Sequence, residues 1–214
     1  MSAAVDRVRA DARHLAARDA RFRDALVEPL HVPERGGGFG TLIHLVLGQQ
    51  VSLEAAAAMF ATLQRETGGL TPKRLLALDD DAMRRSGFSR RKADYARGIA
   101  RAIGSGDLDL AAIDLMPDAE AVTALTALRG IGVWTAECYL LFGLARRDVF
   151  PTGDLALQIG WQEMAGLESR PSPPELGEIA AAWAPRRTAA AHLIWTSYLD
   201  RRGRSIEAES ALDT

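Results

Sequence analysis

The chain has 214 residues, a formal net charge of −2 at pH 7 and a single cysteine, Cys138. This length can bury a sizeable core without covalent staples, and one cysteine excludes both an intramolecular disulfide and a four-cysteine metal or iron–sulfur cluster. The acidic balance, with an isoelectric point near 6.1, argues against a protein held on nucleic acid by bulk positive charge. Any contact with nucleic acid would therefore need local basic patches or backbone donors.

The N-terminal stretch MSAAVDRVRADARH carries charges throughout and does not have the apolar core of a signal peptide. Glycines and charged residues interrupt every apolar run, so we expect no membrane span. These features predict a soluble intracellular protein.

Helix boundary signals recur along the chain: Ser, Thr or Asp before an apolar-periodic segment, proline in a first turn, and glycine after a last one. They predict helices at 53–66, after Thr71-Pro72, between Asp79 and Gly87, at 90–103, from Ser172-Pro173 to about Trp183, and from Pro185 to about Arg202. Strand-like alternation never extends beyond a few residues. The predicted fold class is therefore all-α.

The stretch RGIGVWTAE, residues 129–137, places two glycines between two apolar segments of helical spacing. Glycine reaches backbone conformations closed to other residues, so each glycine of Gly130-Ile131-Gly132 is expected to help form a tight turn. The N–H groups of this hairpin, and of the first turn of the helix after it, would attract an anion such as phosphate. The stretch therefore predicts a helix–hairpin–helix, with the second helix running from Val133 to about Gly143.

The glycine cluster HVPERGGGFG, residues 31–40, is the candidate for a loop between an N-terminal arm and the main body. We expect a helical arm and loop at 1–38, a main domain at 39–205, and a frayed polar tail at 206–214. The simplest architecture for the main domain is a two-lobed helical bundle with the hairpin at the cleft between the lobes.

The stretch RRDVFPTGDLALQIG, residues 146–160, places Asp154 directly before an apolar-periodic helix. An aspartate at this position is most often an N-cap. The alternative is a carboxylate that does chemistry beside an anion-binding hairpin. The aspartates at 79–81 are more typical of a capped helix start than of a metal site, and the four histidines have no paired ligand spacing.

The basic cluster is formed by Arg84, Arg85, Arg90, Arg91 and Lys92. Such a run is more often a solvated helix face than a phosphate contact, and both interpretations stay open.

In combination, LRGIGVWTAE and DVFPTGDLAL resemble the hairpin and downstream aspartate of the helix-hairpin-helix DNA glycosylases. Three more segments are similar to the 3-methyladenine DNA glycosylase II (AlkA-like) branch of that superfamily. They are HLVLGQQVSLEAA (44–56), GFSRRKADYARGIA (87–100) and WAPRRTAAAHLIW (183–195). The resemblance extends in order from about residue 39 to 200.

The resemblance implies a monofunctional DNA glycosylase that flips alkylated purines, of the 3-methyladenine and 7-methylguanine type, out of duplex DNA and hydrolyses their N-glycosidic bonds in base excision repair. Asp154 is then the catalytic carboxylate, which stabilises an oxocarbenium-like sugar or orients the attacking water. Trp134 and Trp195 are implied to bind the base. Trp134 also stands where lyase-active relatives carry a lysine that forms a Schiff base.

The same resemblance implies that Gln50 fills the gap left by the flipped nucleotide. The other residues implied to bind DNA are Gln49, Arg129, Gly130 and Gly132. The backbone carbonyls implied to hold a structural Na⁺ or K⁺ are those of Thr126, Leu128 and Ile131. We expect no other cofactor. The expected partner is double-stranded DNA with damaged bases, bound by a monomer in the cytoplasm, on the nucleoid if the source is bacterial.

The sequence leaves two alternatives open. One is a glycosylase of the same fold that acts on uracil, hypoxanthine or an oxidised purine, because Cys138 stands where some relatives place an aromatic residue. The other is a non-catalytic DNA-binding helix-hairpin-helix module. Asp154 argues against that module, since a carboxylate that faces DNA repels phosphates and serves no purpose in pure binding. The lack of a cysteine cluster argues against the iron–sulfur relatives.

Overall fold

The computed structural model describes residues 2–33 and 35–204, and these residues form helices and loops with no β-strand among them. This confirms the predicted all-α fold class. Within the described part of the chain, no helix combines the length and the apolar character that crossing a membrane requires. The predicted polar tail at 206–214 lies outside the described residues.

The helices follow one another with short connections. In chain order, those in the described residues are α1 (Ala3–Ala16), α2 (Ala20–Ala25), α3 (Phe39–Gly48), α4 (Leu53–Thr67), α5 (Pro72–Leu76), α6 (Asp80–Arg85), α7 (Arg90–Ser105), α8 (Leu110–Ile113), α9 (Asp118–Thr126), α10 (Val133–Cys138), a π-helical turn (Tyr139–Gly143), α11 (Leu155–Ala165), α12 (Pro173–Ala181) and α13 (Arg187–Asp200).

The described residues divide into two compact units. The first comprises residues 2–33 and 140–204, so the N-terminal helices α1 and α2 belong with α11–α13. The second comprises residues 35–139, which include α3–α10. One unit is thus built from two distant parts of the chain, and the other from a continuous segment.

In the first unit, α13 packs against α1, α2 and α11. A buried carboxylate on α1 fixes part of this arrangement. Asp11 accepts two hydrogen bonds of 2.7 Å from the Arg147 guanidinium, and its Oδ1 lies 3.1 Å from Arg186 Nε. A buried charge needs such partners, because desolvation without them would cost several kcal/mol.

In the second unit, α3 packs against α4 and α7, α5 packs against α7, and α9 and α10 form the predicted helix pair. The start of α7 is set by Ser89, whose hydroxyl accepts a hydrogen bond from the Lys92 N–H. Ser52, Thr71 and Asp79 cap α4, α5 and α6 in the same way, as the sequence predicts.

Two helices differ from the prediction. The segment expected as one helix from Val133 to Gly143 is α-helical only to Cys138 and then widens into the π-helical turn, which places Phe142 against an aromatic cluster of the first unit. The last helix begins at Arg187 rather than Pro185, because the Asp148 side chain accepts a hydrogen bond from the Arg187 N–H and so caps the helix from outside.

Candidate functional site

Asp154 is the N-cap of α11, as the sequence predicts, and its side chain has a second role. Its Oδ1 accepts a hydrogen bond from the Leu157 N–H at 2.9 Å and another from the Trp195 indole Nε1 at 3.1 Å. The residue is half-buried. Two donors on one oxygen fix the plane and direction of the carboxylate, and the start of the helix provides a site that favours its negative charge.

An aromatic cluster surrounds Trp195. Its indole stacks on Phe142 with ring centroids 5.2 Å apart and an interplanar angle of 23°. His192 meets the rings of Trp195 and Phe142 edge-on, with both centroid distances at 5.9 Å. Burial lowers the pKa of His192 to about 3, so the imidazole is neutral at physiological pH. The cluster is therefore an uncharged aromatic surface next to an ionisable carboxylate.

Close packing of α11 against α13 brings this carboxylate and this indole together. A Cβ at Gly160 would lie 2.7 Å from Ile194 Cγ2 and 3.1 Å from the Ile194 carbonyl oxygen. Only glycine allows the two helices to approach this closely. Because Ile194 directly precedes Trp195, the same contact helps to set the position along α13 at which the indole reaches the Asp154 carboxylate.

The hairpin of the second unit, residues 129–132, has the predicted tight turn, and only one of its glycines needs glycine's conformational freedom. Gly130 has φ +97°, and a Cβ there would lie 2.3 Å from the Tyr95 ring. Gly132 has φ −89°, a value that any residue adopts, so the turn does not require a glycine at this position. It is the N-cap of α10, where extended backbone is normal, and no side-chain cap covers the first turn.

Gln50 lies in a turn, residues 48–51, between α3 and α4. Its backbone has φ +59°, in the left-handed region, and its side chain is exposed. A non-glycine residue in this conformation costs about 1–2 kcal/mol and persists only where the surrounding structure imposes it. Strain at the residue predicted to fill the gap in DNA is consistent with that role, which stays a prediction.

Gln49 connects this turn to the hairpin. Its side-chain Nε2 donates to the Gly130 carbonyl oxygen at 2.9 Å and to Thr135 Oγ1 at 3.1 Å. The DNA contact expected for Gln49 stays a prediction, whereas this contact within the protein was not expected from the sequence.

Lys92 is the member of the basic cluster whose ammonium group points into the protein. Its Nζ donates to the carbonyl oxygens of Leu47 at 2.6 Å and Gln49 at 2.7 Å. Burial lowers the pKa of its ammonium group, and the nearby Arg91 lowers it further. In the rest of the cluster, Arg85 pairs with Glu66 at 3.0 Å and Arg84 pairs with Asp81. For these two arginines, the structure favours the interpretation as a solvated face.

Two further predicted residues lie at the hairpin. Trp134 is half-buried in the first turn of α10. Arg129 is exposed and shares with Arg97 and Arg101 a surface depression of about 490 Å³ that is also lined by Asp94. Arg97 pairs with Asp80 at 2.7 Å, so the excess positive charge around this depression is small.

The resemblance implies that the backbone carbonyls of Thr126, Leu128 and Ile131 hold a cation, and carbonyl oxygens are chemically suited to that role. The Leu128 carbonyl oxygen accepts a hydrogen bond from the Ile131 N–H at 3.1 Å, which leaves one lone pair, and neutral carbonyl oxygens are typical ligands of monovalent cations. Among the described residues, no group of three or more His, Cys, Asp or Glu side chains is placed to hold a metal ion. The aspartates at 79–81 accordingly serve as a helix start, as predicted.

Phe142, His192 and Lys92 belong to these two regions, although no specific role for them there was predicted from the sequence. His192 lies within the segment that resembles the glycosylase C-terminal helix, three residues before Trp195, and this spacing placed it on the same helix face. Lys92 lies within the segment GFSRRKADYARGIA, which resembles the 3-methyladenine branch, but the segment does not reveal its partners, which are backbone carbonyls distant in the chain.

Comparison with known proteins gives a consistent result. The chain is 33% identical over 166 residues to DNA-3-methyladenine glycosylase 1 of Schizosaccharomyces pombe, covering 76% of this chain and 73% of that protein. It is 29% identical over 178 residues to DNA-3-methyladenine glycosylase 2 of Escherichia coli, covering 78% of this chain and 60% of that protein. The solved structure of the S. pombe 3-methyladenine DNA glycosylase in complex with abasic DNA superposes with a TM-score of 0.78 at 31% identity, covering 86% of this chain and 94% of that one.

The model of the HhH-GPD superfamily base excision DNA repair proteins matches residues 43–186, which contain the hairpin, the Gln50 turn and Asp154. The chain belongs to the HhH-GPD superfamily of base excision DNA repair proteins.

Proposed function

We propose that this protein is a monofunctional DNA glycosylase that excises alkylated purines such as 3-methyladenine and 7-methylguanine from duplex DNA. The observation that carries the proposal is the carboxylate of Asp154, held at the start of α11 by the Trp195 indole beside an uncharged aromatic cluster. The names of the relatives in S. pombe and E. coli support the same activity.

The carboxylate supplies the electrostatic part of the reaction. Breaking an N-glycosidic bond develops positive charge on the sugar, and a fixed anion stabilises that charge or orients the attacking water. An alkyl group at N3 or N7 makes the purine cationic, so the base leaves without a dedicated general acid. One oriented aspartate therefore suffices for this class of substrate.

The aromatic cluster supports the choice of an alkylated base. The faces of Trp195 and Phe142 are electron-rich and favour a cation over a neutral base. A protonated histidine beside them would oppose this preference, and the low pKa of His192 excludes that charge at physiological pH. Trp134 is proposed as a second residue that binds the base.

The lysine content supports a monofunctional reaction. Lys73 and Lys92 are the two lysines of the chain, and tryptophan stands at position 134. Lys92 donates to two carbonyl oxygens within the protein, and Lys73 lies exposed in the first turn of α5. Without a lysine at the lyase position, no Schiff base with the sugar forms, and the product is an intact abasic site.

The hairpin and the Gln50 turn are proposed to hold the duplex. The uncapped first turn of α10 offers backbone N–H groups to a phosphate, Arg129 adds a guanidinium, and Gln50 enters the space of the flipped nucleotide. A structural Na⁺ or K⁺ on the carbonyls of Thr126, Leu128 and Ile131 would add positive charge beside that phosphate. We propose that a monomer binds the DNA, in the compartment that holds the chromosome.

The test is to incubate the purified protein with methylated genomic DNA and to identify the released bases by mass spectrometry. We expect 3-methyladenine and 7-methylguanine, with the DNA strand intact until alkali is added. Release of uracil, hypoxanthine or an oxidised purine in their place would overturn the substrate. A covalent protein–DNA complex trapped by borohydride during turnover would overturn the monofunctional mechanism.

A further inference from the structure

The turn at residues 48–51 keeps its shape although nothing local favours it. Gln50 has a left-handed backbone conformation although it is not a glycine. Two backbone hydrogen bonds flank it, from Gln49 N to Val46 O and from Val51 N to Gly48 O, and both are 3.4 Å long. Long hydrogen bonds of this kind contribute little. The conformation must therefore be maintained by contacts from outside the turn.

Lys92 supplies the first of these contacts. Its ammonium group bridges the carbonyl oxygens of Leu47, in the last turn of α3, and of Gln49, which precedes Gln50. A cation at this position neutralises the negative end of the helix and fixes the direction in which the chain leaves it.

Gln49 supplies the second contact, from its side chain to the hairpin. The bond from its Nε2 to the Gly130 carbonyl oxygen ties the turn to the residue whose φ of +97° defines the hairpin. The same amide nitrogen donates to Thr135, which is buried in α10. Lys92 and Gln49 thus join the end of α3, the start of α7 and the hairpin.

We propose that Lys92 and Gln49 are positioning residues, which hold the Gln50 turn and the phosphate-binding hairpin as one rigid surface. This inference rests on the proposed function, because it assigns the surface to DNA with a displaced nucleotide. A preorganised turn presents Gln50 to the gap without the cost of ordering the loop on binding. The lysine acts through Gln50, and its ammonium group faces carbonyl oxygens of the protein instead of DNA phosphates.

The test is a double-mutant cycle on DNA discrimination, measured as the ratio of Kd for undamaged duplex to Kd for duplex with an abasic-site analogue. Lys92→Met should lower this ratio about tenfold, as loss of a charge-assisted contact predicts. Gln50→Ala should lower it similarly, and the double variant should be no worse than Gln50→Ala alone. Arg91→Met is the matched control: it removes a neighbouring exposed cation and should leave the ratio unchanged, because any loss of affinity is the same for both duplexes.

Gln49→Met keeps the proposal testable if Lys92→Met does not fold, since it removes the amide link to Gly130 and retains Lys92. Gln49→Met should also lower this Kd ratio in the wild-type background, and it should not lower it further in the Gln50→Ala background. Equal weakening of both duplexes by Lys92→Met and Gln49→Met, or a full additional loss in the Gln50→Ala background, would overturn the proposal. An unchanged ratio in Gln50→Ala would also overturn it, whereas the proposed base excision is judged separately from the bases that the wild-type protein releases.

Discussion

The carboxylate site of the first unit and the hairpin with its Gln50 turn in the second are built from different chemical groups. At the carboxylate site, the contacts between distant segments join side chains: the Trp195 indole donates to Asp154 and stacks on Phe142, while the Leu157 N–H supplies the local helix cap. At the hairpin, most of the contacts join side chains to backbone: Lys92 and Gln49 donate to the carbonyl oxygens of Leu47, Gln49 and Gly130, and one further bond reaches the Thr135 hydroxyl.

Residue identity matters for different reasons in the two regions. A reaction needs a defined functional group, so we expect the proposed carboxylate site to tolerate few substitutions of Asp154. The hairpin surface is proposed to bind phosphates through N–H groups, which requires a defined backbone shape, so we expect its side chains to serve mainly to hold that shape. Substitutions in the first region should change the rate of base release, and those in the second should change DNA binding.

The largest expected effect is that of Asp154→Asn, which should lower the single-turnover rate of 3-methyladenine release by on the order of 10²–10³. Asparagine still caps α11 and still accepts from the Trp195 indole, so the melting temperature should change little. Affinity for DNA should be equal or higher, because a negative charge is removed. Asp79→Asn, the same change at the N-cap of α6, is the control and should retain full activity. Near-normal release of 3-methyladenine by Asp154→Asn would show that Asp154 serves only as a helix cap.

The buried histidines, one in each unit, should make stability depend on pH. Burial lowers the pKa of His192 to about 3 and that of His44, which stacks on Phe60, to about 4. Below an unfolded pKa of about 6.5 only the unfolded chain takes up these protons, so stability is full above that pH and falls as the pH drops toward 4. Each histidine should cost roughly 2 kcal/mol of unfolding free energy between pH 7.5 and 5.

Urea unfolding at several pH values measures this loss. His192→Phe and His44→Phe should each flatten the dependence, and two separate unfolding transitions would assign each histidine to its own unit. A pH dependence that stays the same in both variants would contradict the neutral state of the two imidazoles.

A smaller effect is expected for Trp195→Phe, which keeps the stack on Phe142 and removes the indole N–H. Loss of one hydrogen bond to a carboxylate should slow base release about tenfold with little change in DNA affinity. Trp161→Phe, the same change in a separate aromatic contact of the first unit, should leave the rate unchanged. A rate unaffected by Trp195→Phe would show that the carboxylate is oriented by its helix alone.

The smallest effect is expected for Arg129→Ala. Loss of one phosphate contact should weaken binding to damaged and undamaged duplex by the same factor and should reduce the salt dependence of log Kd by about one counterion. Arg170→Ala, at an exposed position of the first unit, serves as the control. A selective loss on damaged DNA would instead place Arg129 at the base and outside the phosphate-binding surface.

Most of the helices and their caps could be predicted from the sequence, and the residues proposed to do chemistry could be named from it. Ser52, Asp79, Ser89 and Asp154 cap the helices that their spacing predicts, and Gly130 takes the left-handed turn expected of it. These features are local: a cap or a turn depends on residues three or four apart, and a single chain segment encodes them completely.

The contacts between segments that are distant in the chain could not be predicted from the sequence and became visible in the folded structure. Trp195 meets Asp154 across 41 residues, Lys92 meets Leu47 across 45, and the Gln49 amide meets Gly130 across 81. Helix periodicity shows which face of a helix is buried and leaves open which face of another helix it meets. Three features follow from packing: the close approach at Gly160, the π-helical turn that carries Phe142, and the backbone partners of Lys92. Backbone carbonyls are the same for every residue, so no sequence motif shows which of them accept a hydrogen bond.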